Sequence, residues 1–451
     1  MNTEIEVNNP ITRFAPSPSG LLHVGNVRTA LLNYLVSKKD NGHFILRIDD
    51  TDTERSKDKF INNIKQDLNW LGLNYDEYYQ QSERIKLYDE AFELLKNKEL
   101  VYPCFETPDE LEKKRKRLIA RRMPPVYDRA ALKHTKDEID SFLESGKKPH
   151  WRFKLSNKKI TFDDLIRGEV NVDLAAQSDP VLKREDGDYL YNLPSVVDDI
   201  KMNITHIIRG EDHITNSGIQ IEIFNALDSG IPIFGHNSLL VSESGEPFSK
   251  RNSAASINQL REDGIDPNAI NSLNASIGSS VDIEAYNSLN LLAQKFEITS
   301  LGRAPARYSN DQLYKLNSEL LSNYDFEKII SLLGDDKGSF NIEFWDCIKQ
   351  NISNISEVLE WIRVIDDPIN VNTDIDYEYL NIAQDFLPNE PWNTETWDQW
   401  ILKIKEKTQR KGKDLFMPIR LALTGKTKGP ELNKLILLMG YNKVMERLKR
   451  R

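Results

Sequence analysis

The stretch that most restricts the fold lies near the start of the chain. Ile11-Thr-Arg-Phe-Ala15 reads as a short strand, stopped by Pro16 and Pro18 with Gly20 just beyond. From Asn26 to Lys38 the apolar residues Val27, Ala30, Leu31, Tyr34 and Leu35 recur at i, i+3, i+4, i+7 and i+8, the stripe of a helix that buries one face. Gly42 ends that helix, and Phe44 to Ile48 reads as a second strand. A strand, a crossover helix and another strand predict a parallel pair, because parallel strands cannot be joined by a tight hairpin. Phe60, Ile61, Ile64, Leu68 and Leu71 predict a further amphipathic helix closed by Gly72, and another is expected from about Glu83 to Lys98. The expected class is α/β, a doubly wound Rossmann-type parallel sheet with helices on its faces.

The alternation then changes. After Tyr102-Pro103 come a charged helix (Glu110 to Arg122), a Pro124-Pro125 break, and strand-like pieces at His150 to Leu155 and Lys159 to Phe162, which predict an α+β insert. Sheet patterning is expected again at Tyr189 to Val197 and Ile204 to Ile208, followed by a helix from about Ser217 to Leu227. Beyond about Tyr308, windows rich in Leu, Ile and Trp predict a separate all-helical domain. A chain of 451 residues is long enough for about three cores. Its longest aliphatic run, Leu435 to Met439, is far short of the ~20 residues a spanning helix needs, and Met1 to Pro10 has neither a basic start nor an apolar core. A cytoplasmic protein with no membrane partner is expected. Cys104 and Cys347 lie far apart, which excludes a Cys-x-x-Cys pair and predicts two buried thiols.

A net charge of −10 argues against indiscriminate binding to polyanions, yet residues 401–451 hold 15 lysines and arginines against 4 acidic residues. A second basic cluster, Lys113, Lys114, Arg115, Lys116, Arg117, Arg121 and Arg122, sits in an otherwise acidic half. Two separated basic surfaces suggest contact with a phosphate backbone at two places, and solvated helix faces with a basic tail fit the charge alone equally well.

The chemistry concentrates in two loops. Arg13-Phe-Ala-Pro-Ser-Pro-Ser-Gly20, continued by Leu-Leu-His23-Val-Gly25-Asn26, joins the first strand to the first helix. That is where a doubly wound sheet binds ligands and where helix N–H groups favour an anion. Alone, His23 reads as a helix cap. Further on, Gly245-Glu-Pro-Phe-Ser249-Lys250-Arg251-Asn-Ser253 is a Gly- and Ser-rich loop whose lysine can close over charge developing on phosphates. Together the two loops resemble the His-Ile-Gly-His and Lys-Met-Ser-Lys-Ser motifs of class I aminoacyl-tRNA synthetases. Within that class, Leu46-Arg-Ile-Asp-Asp-Thr-Asp52, Tyr102-Pro-Cys-Phe-Glu-Thr-Pro108, Phe162-Asp-Asp-Leu-Ile-Arg-Gly168, Val196-Val-Asp-Asp199 and Ile208-Arg-Gly-Glu-Asp-His213 resemble the bacterial glutamyl-tRNA synthetases. The resemblance is dense from residue 11 to about 316 and returns at Lys411-Gly-Lys-Asp-Leu-Phe-Met-Pro-Ile-Arg-Leu-Ala-Leu-Thr-Gly425.

The resemblance implies a glutamate–tRNA ligase. Glutamate attacks the α-phosphate of ATP, giving glutamyl-adenylate and pyrophosphate, and the terminal adenosine of tRNA then takes the acyl group. It divides the chain into a catalytic domain (1–78 and 189–235), an acceptor-stem insert (79–188), a stem-contact region carrying the lysine loop (236–316) and a helical anticodon-binding domain (317–451). For glutamate it implies Arg13 and Arg209 on carboxylates, Asp49 on the α-ammonium, Tyr191 and Ser195 as polar contacts, and backbone near Ala15 and Ser17. For ATP it implies His23, Gly25 and Asn26 on the phosphates, Leu240 beside adenine, and Ser249, Lys250 and Arg251 on the pyrophosphate side, with His23 and Lys250 catalytic. ATP would arrive with Mg2+. No zinc is expected, because Cys104 stands alone where some members cluster cysteines. The implied partner is tRNA(Glu), with tRNA(Gln) left open, and the enzyme is expected to be a monomer.

Four departures stand out. Asp49 replaces the usual glutamate, Pro247 the first lysine of the mobile-loop motif, Asn252 follows Arg251 where His-Gly is common, and Ser195 stands where asparagine is frequent. Catalysis is expected to survive them at lower efficiency. A glutaminyl enzyme is the nearest alternative, but Ala-Pro-Ser-Pro-Ser-Gly rather than Pro-Pro-Glu-Pro-Asn-Gly favours glutamate, as does a helical rather than β-barrel C-terminal domain. A non-catalytic tRNA-binding paralogue is the alternative from another class, and Asp49 and Pro247 are the residues that speak for it.

Overall fold

A computed structural model describes residues 9–52, 56–246, 256–334, 338–369 and 376–449. The chain clusters into two compact units, one of Met1–Gln259 and Ile270–Ser309, the other of Leu260–Ala269 and Asn310–Arg451.

In the first unit, β1 (Ile11–Phe14), α1 (Val24–Lys39) and β2 (His43–Ile48) form the expected crossover, with Ile11 opposite His43 and Phe14 opposite Leu46 in a parallel pair. Leu31, Leu32 and Leu35 of α1 and Phe44, Leu46 and Ile48 of β2 are fully buried. This interior sets the register, because a one-residue slip would turn the buried face outward. Through α2 (Asp58–Trp70) the chain reaches β3 (Glu77–Gln80), parallel to β2 on its far side. After α3 (Ile85–Asn97) come β4 (Val101–Cys104), α4 (Pro108–Ala120), α5 (Lys136–Glu144), β5 (His150–Phe153), β6 (Lys159–Asp164), β7 (Gly168–Asp173) and β8 (Val181–Lys183). Strands β4, β5 and β8 make a small antiparallel sheet. The hairpin β6/β7 instead joins α6 (Asn192–Lys201), β9 (His206–Gly210), α7 (Ile214–Ala226) and β10 (Ile233–Asn237), giving a sheet ordered β7-β6-β10-β9 in which β10 runs parallel to both neighbours.

The sheets adjoin at β1 and β9. Ile11 N–H donates to Thr205 Oγ1 (2.8 Å), and Thr205 N–H donates to the Ile11 carbonyl (3.0 Å). Strand order therefore proceeds outward from β1 to β2 and β3 on one side and from β9 to β10 and β6 on the other. That reversal is the switch point at which doubly wound sheets open a crevice beyond their carboxyl ends.

One expected element differs. Tyr189 to Val197 is not strand, because α6 begins at Asn192. Leu193, Val196, Val197 and Ile200 fall at i, i+3, i+4 and i+7, and Pro194 sits in the first turn, where its missing N–H interrupts no helical hydrogen bond. Cys104 and Cys347 are both buried thiols.

The second unit is helical, from Asn310–Asn323 to Leu432–Leu448, with no strand among its described residues. Its core holds Trp400, fully buried with its indole N–H donating to the Ala383 carbonyl (2.8 Å). No helix among the described residues is long and apolar enough to cross a membrane.

Candidate active site

The loop leaving β1 ends on His23, the N-cap of α1. His23 Nδ1 accepts the N–H groups of Gly25 (3.1 Å) and Asn26 (3.3 Å), while Asn26 Oδ1 accepts the His23 N–H (3.3 Å). This reciprocal cap ties down the first turn. Because Nδ1 accepts, the neutral imidazole carries its proton on Nε2. A Cβ at Gly25 would lie 3.1 Å from the His23 ring, so glycine keeps the cap uncrowded.

Beyond the carboxyl ends of β1, β2, β9 and β10 lies a cleft of about 640 Å³. Arg13, Ala15, Ser17, His23, Gly25, Asn26, Asp49, Tyr191, Arg209 and Leu240 all line it, although they come from widely separated parts of the chain. Ser195 does not line it: it lies in α6 with its hydroxyl buried and without a hydrogen-bond partner among the described residues. Pro247, Ser249, Lys250, Arg251 and Asn252 lie outside the described residues.

The floor is an array of alternating charges. Arg13 Nε donates to Asp199 Oδ1 (3.1 Å), which also accepts from Arg47 Nη1 (2.7 Å). Arg47 in turn holds Asp49 by two bonds (2.7 and 3.3 Å). Asp198 accepts from Gln81 (3.0 Å), Arg84 (2.6 Å) and Tyr88 (2.8 Å). Arg13, Arg47 and Arg84 thus balance Asp49, Asp198 and Asp199. Burial works against the charges of Asp199 and Arg47, but the two guanidiniums hold the Asp199 carboxyl below its ordinary range, and the facing carboxylates hold Arg47 protonated. For Asp49 burial prevails over Arg47, and its carboxyl is pushed up to about 6. The array leaves the terminal nitrogens of Arg13 without a hydrogen bond among the described residues.

Arg209 differs. It is 5% exposed, at the end of β9, and its partners are neutral: Tyr191 Oη (2.9 Å) on Nη1, and Ser217 Oγ and Gln220 Oε1 (2.7 Å each) on Nη2. None of the ion pairs among the described residues involves it, and burial lowers its pKa. Arg28 of α1, also on the cleft, donates to the carbonyls of Ser238 (3.4 Å) and Ile277 (2.8 Å), and burial brings it down to about 10. A balanced floor with extra guanidinium charge above it makes a receptor for anions. The sequence motifs contained Arg47, Asp198 and Asp199, but nothing in their spacing says they pair. Arg28, Ser217 and Gln220 carried no sequence signal beyond their helical positions. Among the described residues no group of three or more His, Cys, Asp or Glu side chains could hold a metal ion.

The model of tRNA synthetases class I (E and Q), catalytic domain, matches residues 10–315, and that of an anticodon binding domain matches residues 315–451. The chain belongs to the class I (E and Q) tRNA synthetases. Among curated proteins of this family, glutamate–tRNA ligase 2 of Beijerinckia indica is 46% identical over 446 residues, spanning 98% of this chain and 99% of that protein. Glutamate–tRNA ligase 1 of Brucella canis is 47% identical, spanning 96% and 98%. Among solved structures, a glutamate tRNA ligase from Elizabethkingia meningosepticum, in complex with its amino acid, superposes with a TM-score of 0.83 at 27% identity over 98% of both chains. The synthetase cleft described above lies within the matched catalytic domain.

Proposed function

We propose that this chain is a glutamate–tRNA ligase that activates L-glutamate with ATP and transfers it to the 3′ end of tRNA(Glu). The observation that carries the reading is Arg209, a buried guanidinium held by three neutral partners in a cleft that also exposes Arg13. Leaving such a cation without a counterion is costly, and a substrate carboxylate removes that cost. Two guanidiniums suit the two carboxylates of glutamate, and a planar fork favours each of them bidentately.

In this reading Arg13 takes the side-chain carboxylate, Arg209 a carboxylate from the other wall, Asp49 the α-ammonium, and Tyr191 a polar contact, with the Ala15 and Ser17 backbone closing the pocket. At the start of α1, His23 through its Nε2–H, with Gly25 and Asn26 beside it, receives the ATP phosphates. Leu240 contacts adenine, and Ser249, Lys250 and Arg251 face the departing pyrophosphate. Mg2+ comes with the nucleotide as part of the substrate. The two reacting groups, the glutamate carboxylate and the tRNA ribose hydroxyl, both belong to substrates. The protein therefore acts by positioning and charge stabilisation and needs no nucleophile. The catalytic and anticodon-binding parts, the basic α4 and the basic C-terminal segment support binding of one tRNA at two places, by a monomer working in the cytoplasm.

The test is ATP–pyrophosphate exchange with tRNA present. Exchange is expected with glutamate and is expected to be lower by two or more orders of magnitude with glutamine, since a carboxamide leaves arginine charge unmatched. Equal exchange would refute the assignment, and no exchange with either would favour a non-catalytic tRNA-binding protein. Acylation of purified tRNA(Gln) alongside tRNA(Glu) decides whether a second acceptor is used.

A further inference from the structure

Behind Arg209 lies a buried chain of four side chains from four different elements. Arg209 Nη2 reaches Ser217 Oγ (2.7 Å), Ser217 Oγ reaches His236 Nε2 (2.7 Å), and His236 Nδ1 reaches Asp164 Oδ2 (2.6 Å). Ser217 and His236 are 0% exposed, and Asp164 and Arg209 are 5%. Asp164 ends β6, Arg209 lies near the end of β9, Ser217 is on α7 and His236 is on β10, so the chain crosses the sheet just below the cleft.

The donors fix the protons. Asp164 Oδ1 already accepts the N–H groups of Ile166 (2.9 Å), Arg167 (2.8 Å) and His236 (3.2 Å), which holds the group as a carboxylate. Its Oδ2 must therefore accept, which puts a proton on His236 Nδ1. Burial, the larger effect, keeps this imidazole neutral, so Nε2 has a lone pair to receive the Ser217 hydroxyl proton. The Ser217 oxygen is then turned to accept from Arg209. Ser217 Oγ also lies 3.2 Å from the His213 carbonyl, but the shorter contact to the Nε2 lone pair takes its one proton, so every bond of the chain donates in one direction, from guanidinium to carboxylate. Ser, His and Asp in hydrogen-bonding order would suggest a hydrolase nucleophile, but this hydroxyl is fully buried and its oxygen is occupied by Arg209.

We propose that Asp164, His236 and Ser217 are positioning residues that aim Arg209 at the substrate carboxylate without neutralising it. A carboxylate in direct contact would orient Arg209 equally well, but it would cancel the charge and compete with glutamate. An intervening imidazole and hydroxyl transmit direction and leave the full charge for the cleft. The inference rests on the reading of Arg209 as a glutamate-binding residue.

The test uses the full-length protein in ATP–pyrophosphate exchange with tRNA present. Ser217→Ala removes the acceptor and is expected to raise the KM for glutamate by ~10- to 100-fold, as loss of a bond to a charged group does, with kcat, the KM for ATP and the melting temperature little changed. Ser217→Thr keeps a hydroxyl and is expected to return the KM to within about threefold. In ¹⁵N-histidine-labelled protein at pH 7, His236 is expected as the Nδ1–H tautomer, and Asp164→Asn, whose amide can donate, is expected to convert it to Nε2–H. An unchanged glutamate KM in Ser217→Ala, a fall in kcat and both affinities together with the melting transition, no rescue in Ser217→Thr, or an Nε2–H tautomer in the unaltered protein would each overturn the relay. Arg209→Ala separates the two claims. If it too leaves the glutamate KM unchanged, the assignment of Arg209 falls and the relay with it; if it alone raises that KM, only the relay falls.

Discussion

Arg209 and Asp49 show how burial sets the behaviour of single groups in this cleft. Arg209 fits as a fork because Tyr191, Ser217 and Gln220 lie where three separate N–H groups point. A lysine ammonium cannot reach all three and also face the cleft. Arg209→Lys is expected to lower kcat/KM for glutamate ~100-fold or more, about 2.7 kcal/mol, in pyrophosphate exchange. Asp49 leads to a pH dependence with a definite sign. Burial pushes its carboxyl up to about 6, so below that pH it is protonated and, in its proposed role, no longer anchors the α-ammonium. The KM for glutamate is then expected to rise roughly tenfold per unit as the pH falls from 6 to 4. His213, also on the cleft, is held below its ordinary value by burial and by Arg209, which makes its titration the competing explanation. Asp49→Asn is therefore the control: it should give a higher KM that no longer follows pH above 5, and an Asp49→Asn profile parallel to the unaltered enzyme would reassign the effect to His213.

At the scale of elements, the start of α1 combines a cap with the proposed phosphate site. Gly25→Ala would press a methyl group against the His23 ring at 3.1 Å, disturbing the cap and the N–H groups of the first turn together. The expected outcome is a rise of ~10-fold in the KM for ATP at little change in the KM for glutamate, read from the same exchange assay. Lys250 and Pro247 lie outside the described residues, and their roles are expectations from the sequence motif. Lys250→Ala is expected to slow activation ~100-fold, as loss of one preorganised charge does, and Pro247→Lys to restore part of the rate. Wild-type turnover in Lys250→Ala would end that assignment. Elements differed in how legible they were. The helix α1 shows its full stripe in sequence because one face packs on the sheet and the other does not. The sequence of α6 fits strand as well as helix, because Tyr189 to Val197 is too short and too apolar for one period to stand out, and packing decides between the two.

For the molecule as a whole, the distribution of charge matters more than its sum. The helix α4 buries no residue, and Arg117 and Arg121, on the wall of a surface pocket with Arg115, have no ion pair among the described residues. If these arginines meet phosphates, Arg117→Ala with Arg121→Ala should weaken tRNA binding and reduce the slope of log Kd against log salt by about 1 to 2, with tRNA identity unaffected. An unchanged slope would make this helix a solvated face. Periodicity and breakers determined the α/β class and the helical C-terminal region, because these are local properties that survive being read along a line, and the family resemblance pointed to most residues that line the cleft. They could not determine the pairing of Arg47 with Asp49 and Asp199, nor the line from Arg209 to Asp164. The bonds to Asp199 depend on how α6 packs on the strands and the line to Asp164 on which strands lie side by side; each joins residues far apart in the chain, Arg13 and Asp199 being nearly two hundred positions apart. Whether a charged side chain is balanced or left for a ligand is a property of its neighbours in space, and only the tertiary structure supplies them.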